Sequence, residues 1–436
     1  MTARPELVRS IGRWSLAGLV LNGIIGSGVF VQPGLVAGAL GWSAMIAWVV
    51  AAGITFCMIL SFSEVASRFT AAGGAYLYTQ LAFGRFAALQ MGWMTYFVRA
   101  ISAAVQVNLF TTYLAEFVPG ADKGLLAAGI TTLILGMLAV VNIRSVASGA
   151  GMSNLTVIVK TVPLLVFGAV GLIWIASGRM APPVVPSDPT VSGWLRVLLL
   201  LMFAYGGFES ALIPAGEAKD PKRDVPFALI TGLSLVTLVY LAAQITVLAT
   251  LTDPDANNRP LAAAARVILG GKGAAFMTLA ALLSTYGWLA SNMLNVPRLS
   301  MAMADRGDLP SFFNRIHPVF RTPYISIIFF AAISLFLALQ AGLVSNLSLS
   351  AVSRLFTYAA VCAALPVFRR WDRDTPGRVD LPGFRAPAGN VLAVFCVLIS
   401  LLLISRMTMR EAATLSVVVT IATLHWLTVR TKAPGA

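Results

Sequence analysis

The chain has 436 residues, of which 58% are hydrophobic and only 11% are charged, and its mean hydropathy is +0.84. Soluble domains are about half apolar and about a quarter charged, so this composition excludes an ordinary soluble protein. It predicts an all-α polytopic membrane protein in which lipid surrounds most of the chain. Twelve spans of about 21 residues use roughly 250 residues, which leaves no room for a large soluble domain.

Apolar runs separated by turn-forming or charged residues predict twelve transmembrane helices. The runs lie at 14–40, 42–66, 86–117, 125–143, 152–177, 194–217, 226–252, 274–302, 324–341, 347–368, 389–406 and 411–429. The first run follows Arg4, Arg9 and Arg13 and continues to Leu40 without a small-residue cleavage pattern. It therefore indicates a retained span rather than a signal peptide.

The chain is strongly basic, with a formal net charge of +14 and an isoelectric point near 10.3. If the N-terminus is cytoplasmic, about twenty Lys and Arg residues fall in inside segments and about eight in outside segments. This asymmetry predicts a multi-pass protein of a bacterial inner membrane with both termini in the cytoplasm. The basicity is then a topology signal, and we expect neither a nucleic-acid partner nor an obligate protein partner. Anionic lipid head groups are expected at the Arg-rich loop from Arg369 to Arg385.

Two of the predicted spans contain sequences that interrupt a helix. The first carries GIIGSG at 23–28, and the sixth carries FAYGGFE at 203–209, followed by Pro214. Glycine weakens a helix interior by about 1 kcal/mol, and irregular backbone inside a membrane is tolerated only where protein or water satisfies its polar groups. Because the breaks are five helices apart, they predict a five-plus-five inverted repeat with a site near the midplane. The alternative is that both runs are small-residue packing faces.

Four stretches resemble the amino acid–polyamine–organocation transporter superfamily and occur in its order. They are GIIGSGVFVQP at 23–33, SEVASRFTAAGGAYLYTQLAFGRFAALQMGW at 63–93, FAYGGFESALIPAGEAKDPKRDVP at 203–226 and NVPRLSMAMADRGDLPSFFNRIHPVFRTP at 295–323. The resemblance implies a leucine-transporter-type fold with twelve helices, of which helices 1 and 6 are broken. Its two inverted repeats would cover residues 1–178 and 194–368, and two peripheral helices would cover 389–429.

The interrupted spans supply the predicted substrate site. The second half of helix 1 begins near Ser27 and Gly28, where N–H groups without helical partners are suited to a carboxylate. The carbonyls of the unwound backbone are suited to an ammonium group. Donors and acceptors about one carbon apart describe an α-amino acid, which is also the substrate class that the resemblance implies. The predicted binding residues are Gly23, Ile24, Gly26, Ser27, Gly28, Phe203, Ala204, Tyr205 and Gly206.

The side-chain preference of this site depends on the second break. The resemblance implies that Phe203 is an aromatic gate over the substrate, and the alternative is a packing aromatic. Gly206 and Gly207 leave room for a sizeable side chain. The Phe-Ala-Tyr run resembles family members that carry large neutral amino acids, so neutral substrates are favoured.

Lys160 is the most conspicuous charge inside a predicted span. An ionisable group at bilayer depth costs at least about 2.5 kcal/mol, so it requires a partner or a function. The resemblance implies that its ammonium replaces a sodium ion, contacting the carbonyl of Gly23 and a hydroxyl of Ser284 or Thr285. Burial disfavours the charged amine, so we expect Lys160 to release and take up a proton during transport. The alternative is a fixed cation that bridges helices.

Three further charges lie in predicted spans: Glu209, Arg99 and Arg354. Glu209 is either a buried, protonated second proton carrier or the partner of a basic group. The two arginines are expected to form structural ion pairs with Glu209, Glu64 or Glu116. If either arginine faces the cavity instead, acidic amino acids become candidate substrates.

No constellation in the sequence indicates an enzyme, a metal site or a cofactor. His317 and His425 are isolated, and Cys57, Cys362 and Cys396 lie in apolar runs without a pairing pattern. We therefore expect a secondary active transporter of α-amino acids that works by alternating access, with proton coupling and no sodium. An obligate amino acid or amino acid/amine exchanger is the alternative, and a non-transporting sensor is a rival from another class.

Overall fold

The computed structural model describes residues 12–69, 74–144, 149–209, 218–256, 258–305, 307–375, 377 and 380–430, with the backbone alone for 149–157, 221, 302 and 305. All regular elements within these ranges are helices, which confirms the all-α class. Arg4, Arg9 and Pro214, which entered the sequence analysis, lie outside the described residues. The helices are α1 Arg13–Ile24, α2 Gly28–Leu40, α3 Ala44–Ala66, α4 Gly74–Phe83, α5 Arg85–Leu114, α6 Gly124–Arg144, α7 Gly149–Ala176, α8 Val191–Ala204, α9 Pro221–Thr250, α10 Pro260–Asp305, α11 Tyr324–Gln340, α12 Leu343–Asp374, α13 Gly389–Ile404 and α14 Met409–Val429.

Seven segments of the described chain are long and apolar enough to cross a membrane. They are Gly28–Ala66, Gly124–Arg144, Ile158–Ala176, Lys222–Thr250, Pro260–Met301, Leu343–Asp374 and Met409–Val429. The helices α8, α11 and α13 are shorter but also apolar. These segments fit a polytopic membrane protein. Each of the twelve predicted runs overlaps a helix, while twelve crossings of the membrane remain a prediction.

The outer helices present apolar side chains to their surroundings. Leu125 of α6 is 92% exposed and Val391 of α13 is 71% exposed, as expected for side chains that face lipid. In the most apolar stretch of each helix, 28% of the residues are buried in α6 and 22% in α14. The corresponding share in α12 is 67%. The helix α12 is therefore central, while α6 and α14 lie at the periphery.

The centre of the molecule brings both predicted breaks together. The helix α5 packs against α10, α11 and α12, and α12 also contacts α3 and α8. The helix α1 lies along α9 and α7, while α2 contacts α8, α9 and α10. The helices on either side of the first break consequently pack on α9, and α8, which ends at the second break, packs on α2, α3 and α12.

Two helical features were absent from the predicted set of runs. The helix α4 is a ten-residue element between α3 and α5. The helix α10 begins at Pro260, well before the predicted run at 274–302, and its backbone turns at Gly270, where φ is +68°. Only glycine adopts such a left-handed conformation readily, so the bend falls on that residue. Cys57, Cys362 and Cys396 are free thiols in α3, α12 and α13.

Candidate functional site

The first predicted break is present between α1 and α2. The helix α1 ends at Ile24, and Ile25 has extended backbone with φ −70° and ψ 99°. A new helix starts at Gly28, and the N–H groups of Gly28 and Val29 have no helical partner, whereas that of Phe30 donates to the carbonyl of Ser27 at 3.1 Å. The break therefore offers carbonyls on the α1 side and N–H donors on the α2 side. Ile24, Ile25, Ser27 and Gly28 are all buried.

The second break follows Ala204, the last residue of α8. Tyr205, Gly206 and Gly207 form a turn, in which the N–H of Gly206 donates to the carbonyl of Phe203 at 3.1 Å. Gly207 has φ +108°, a conformation that residues with a Cβ rarely adopt. The predicted interruption of the sixth span is thus present in the backbone.

The two breaks lie against each other. A Cβ on Gly28 would stand 2.9 Å from the Cα of Ala204, and a Cβ on Gly207 would overlap the carbonyl oxygen of Gly23. Both glycines therefore permit a backbone-to-backbone approach that any other residue would prevent. The structure brings the predicted site residues of both spans into one buried place.

Tyr240 of α9 joins the two breaks through its hydroxyl. The Oη atom lies 3.2 Å from the carbonyl of Ile24 and 3.1 Å from that of Ala204, so its single proton is shared between the last residues of both interrupted helices. Its ring also packs edge-on against Trp48, with centroids 5.1 Å apart. Sequence reasoning missed this residue, because a single tyrosine in an apolar run carries no signal of its own.

We expect Tyr240→Phe to lower the stability of the protein by about 0.5–1.5 kcal/mol, because two buried carbonyls lose their shared donor. Tyr286→Phe is the matched control, since the Tyr286 hydroxyl has no hydrogen-bond partner in the described part of the chain. The midpoint of thermal unfolding in detergent measures both changes. Equal midpoints for the two variants would show that the Tyr240 hydroxyl does not stabilise the two breaks.

One face of α5 runs along both breaks. Its polar residues Arg99, Ser102 and Gln106 are spaced i, i+3 and i+7, which places them on the same side of the helix. A Cβ on Gly26 would stand 2.8 Å from the Nε2 of Gln106. Within the described residues, the Oε1 of Gln106 and the Oγ of Ser27 are buried without a hydrogen-bond partner. The first break thus has polar atoms without hydrogen-bond partners beside it. The helical spacing of polar residues within an apolar run was the sequence signal that could have identified Gln106.

Lys160 of α7 reaches the first break. Its ammonium donates to the carbonyls of Asn22 and Ile25, both at 3.0 Å, and the residue is 1% exposed. The resemblance implied a contact with the carbonyl of Gly23. In the structure the ammonium contacts the carbonyls of Asn22, before Gly23, and of Ile25, after Ile24. The ammonium nevertheless binds the unwound end of α1.

The hydroxyls of α10 do not supply the other expected contacts of Lys160. Thr285 donates to the carbonyls of Ala281 and Leu282 in its own helix, at 2.8 and 3.0 Å. The Oγ of Ser284 is buried and has no partner within the described residues. The expected contact between Lys160 and these hydroxyls is therefore corrected. A role of Ser284 and Thr285 in coupling stays a prediction.

Glu209 lies at the centre of a polar cluster beside the second break. Its Oε1 is 3.1 Å from Nη1 of Arg354 and 3.6 Å from Nη2 of Arg99. Its Oε2 accepts hydrogen bonds from the hydroxyl of Tyr358 at 2.7 Å and from the N–H of Gly207 at 2.9 Å. The expected pairing of both arginines with Glu209 is present, and the carboxylate also holds the backbone of the break.

The other two carboxylates considered for the arginines have different partners. Glu64 is fully buried and accepts hydrogen bonds from Arg369 at 2.6 and 2.8 Å. Glu116 pairs with Arg259 at 3.5 Å and with Arg266. Glu209 is therefore the carboxylate that both arginines share next to the breaks.

The Arg354 side chain packs against Phe203 and Gly206. The guanidinium carbon lies 5.8 Å from the centre of the Phe203 ring, within range of a cation–π interaction. It would also lie 2.7 Å from a Cβ on Gly206, so the glycine leaves space for the arginine. The space predicted for a substrate side chain at Gly206 is occupied by Arg354. Phe203 is buried beside it, and a gating role remains a prediction.

Comparisons with known proteins agree with the resemblance. The sequence profile of the amino acid permease family matches residues 11–427. The serine/threonine exchanger SteT of Bacillus subtilis is 29% identical over 340 residues, which cover 76% of this chain and 77% of that protein. The branched-chain amino acid permease BcaP of the same organism is 27% identical, covering 92% of this chain and 89% of that protein.

A further relative in Bacillus subtilis is the glutamate/serine transporter AimA, which is 26% identical over 89% of this chain and 77% of that protein. The relatives are transporters, and the apolar helices agree with an integral membrane protein. Since the family profile covers nearly the whole sequence, the chain belongs to the amino acid permease family of the amino acid–polyamine–organocation superfamily.

Proposed function

We propose that the protein carries α-amino acids across the cytoplasmic membrane by alternating access, driven by protons and independent of sodium. The observation that carries this proposal is the ammonium of Lys160 on the carbonyls of Asn22 and Ile25. It fixes a positive charge at the unwound end of α1, where discontinuous helices of transporters bind a coupling cation. A sodium ion is then not needed at that position.

The substrate is proposed to bind at the two breaks, beside their contact. The start of α2 at Gly28 provides N–H donors and the positive end of a helix dipole for the carboxylate. The carbonyls of the unwound segments provide acceptors for the ammonium. The contact between Gly28 and Ala204 keeps both sets of groups within one small substrate's reach.

Proton coupling is proposed to act through the contact of Lys160 with α1. When the amine loses its proton, it loses the charge that strengthens both hydrogen bonds to the carbonyls of the break. The end of α1 is then held less firmly and can move relative to α7. Glu209 serves in this proposal as a fixed counter-ion of the arginines rather than as a second proton carrier, because it has four neighbouring donors.

The proposed framework is a leucine-transporter-type pair of inverted repeats at 1–178 and 194–368, with peripheral helices at 389–429. The corresponding positions of the two breaks support this arrangement. The location of α14 at the outside of the helix assembly supports a peripheral role for the last segment. The excess of inside Lys and Arg residues supports cytoplasmic termini.

An obligate exchanger is the second candidate, and it is favoured by the name of one relative, a serine/threonine exchanger. In that case Lys160 only anchors α1. Two features of the site also point to different substrate side chains. The Phe203-Ala204-Tyr205 run supports neutral substrates, whereas the arginines beside Phe203 support acidic ones.

Uptake into proteoliposomes separates these proposals. We expect labelled serine, leucine or glutamate to accumulate when the lumen is alkaline relative to the outside, without sodium and without amino acid in the lumen. Uptake that occurs only into vesicles preloaded with unlabelled amino acid would instead establish the exchanger. Absence of uptake in every arm, for all twenty amino acids, would refute amino acid transport.

A further inference from the structure

The cluster around Glu209 holds more positive than negative charge. Two guanidiniums, those of Arg99 and Arg354, share one carboxylate, while Lys160 contacts carbonyls elsewhere. Arg99 and Arg354 are 7% and 4% exposed, so water compensates little of the remaining charge. A charge at this depth requires a counter-charge or a function.

Arg99 is the less closely paired of the two arginines. Arg354 donates to Glu209 at 3.1 Å and to the Oγ of Ser102 at 3.2 Å, and it packs on Phe203. Arg99 approaches Glu209 only at 3.6 Å and makes no hydrogen bond to any described residue. Both oxygens of Glu209 already accept hydrogen bonds from other donors. The guanidinium of Arg99 thus retains donors for a further anion.

We propose that Arg99 binds the side-chain carboxylate of an acidic amino acid, so that aspartate or glutamate is the preferred substrate class. The inference rests on the proposed binding of an α-amino acid at the two breaks. A guanidinium matches a carboxylate because its N–H donors form two parallel hydrogen bonds with the two oxygens. The amides of asparagine and glutamine offer neither the charge nor the second acceptor.

Arg99 lies close to the proposed substrate site. Its guanidinium is 3.6 Å from Oε1 of Glu209, whose Oε2 accepts a hydrogen bond from the N–H of Gly207 in the second break. Gln106, seven residues further along the same face of α5, places its Nε2 next to Gly26 in the first break. A substrate whose α-carboxylate lies at the start of α2 can therefore extend its side chain along this face of α5 towards Arg99.

The test measures thermal stabilisation of the purified protein by aspartate and glutamate against asparagine and glutamine. We expect the acids to bind at least about 10-fold more tightly than the amides, the size of effect that a hydrogen bond to a charged group gives. Arg99→Gln should reduce the ratio of acid to amide affinity by about 10- to 100-fold, and Arg99→Lys should retain part of it. Arg144→Gln is the control, because it removes one exposed positive charge at the end of α6.

The outcomes separate this inference from the proposed function. If neutral amino acids stabilise the wild-type protein and the acids do not, the role of Arg99 is refuted while amino acid transport stands. If Arg99→Gln keeps the wild-type ratio, the role of Arg99 is likewise refuted. If no amino acid binds, the proposed function itself fails. The comparison of acids with amides on the wild-type protein tests the acidic substrate class even if Arg99→Gln does not fold, and Arg99→Lys, which keeps the charge, then tests the role of Arg99.

Discussion

Replacing Lys160 by alanine is expected to abolish the accumulation of amino acid that an inward proton gradient drives. The ammonium is the donor for the carbonyls of Asn22 and Ile25 at the end of α1, and alanine leaves both without it. A buried acceptor that loses its partner costs about 1–3 kcal/mol, so the conformation of the break should change as well. Uptake with and without a pH gradient in proteoliposomes measures the effect.

Lys160→Arg refines this experiment. Arginine keeps the positive charge but cannot release a proton at physiological pH, so substrate binding should survive while the response to the gradient is lost. Lys123→Ala is the control, because Lys123 is an exposed lysine outside the predicted spans. Gradient-driven uptake by Lys160→Ala at the wild-type level would contradict a coupling role and leave Lys160 as an anchor only.

Gly28→Ala is expected to weaken amino acid binding by about 10- to 100-fold. The added methyl group would stand 2.9 Å from the Cα of Ala204, and a backbone atom cannot rotate away as a side chain can. The breaks would have to separate, and overpacking of this kind costs about 1–3 kcal/mol. At about 1.4 kcal/mol per factor of ten, this energy corresponds to the stated loss of affinity. Thermal stabilisation by serine, leucine and glutamate measures it.

Gly18→Ala is the matched control for the Gly28 variant. Gly18 lies in the same broken span, in α1, and no atom stands within 4 Å of an added Cβ. Alanine in a helix interior is favoured over glycine by about 1 kcal/mol, so this variant should be at least as stable as the wild type. If Gly28→Ala binds amino acids as tightly as Gly18→Ala does, the substrate site does not depend on the contact of the two breaks.

The sequence was sufficient to predict most of the helices and both breaks because these are local properties, whereas α4 and the first part of α10 were missed. Apolar runs and glycine clusters can be identified from a few consecutive residues. The helices that end at Ile24 and Ala204 confirm the two breaks predicted in this way. The bend at Gly270 was missed because a single glycine in a helical pattern does not indicate a left-handed conformation.

The contacts between helices were harder to predict. Glu209 was one of three carboxylates available to the arginines, and only the packing of α5, α8 and α12 selects it. Tyr240 and Gln106 lie outside the four stretches that resemble the superfamily, so their approach to the breaks is a property of the tertiary structure. The position of Lys160 in α7 was predictable, but which carbonyls it contacts depends on how α1 unwinds.

Recording amino acid entry and proton entry in one sample shows whether the two movements are coupled. Proteoliposomes contain a pH-sensitive dye, and labelled serine, leucine or glutamate is added outside without sodium. We expect the lumen to become more acidic as the amino acid enters, and Lys160→Ala to abolish this change. Entry of the amino acid at the same rate with a constant luminal pH, or entry only with a sodium gradient, would contradict the account.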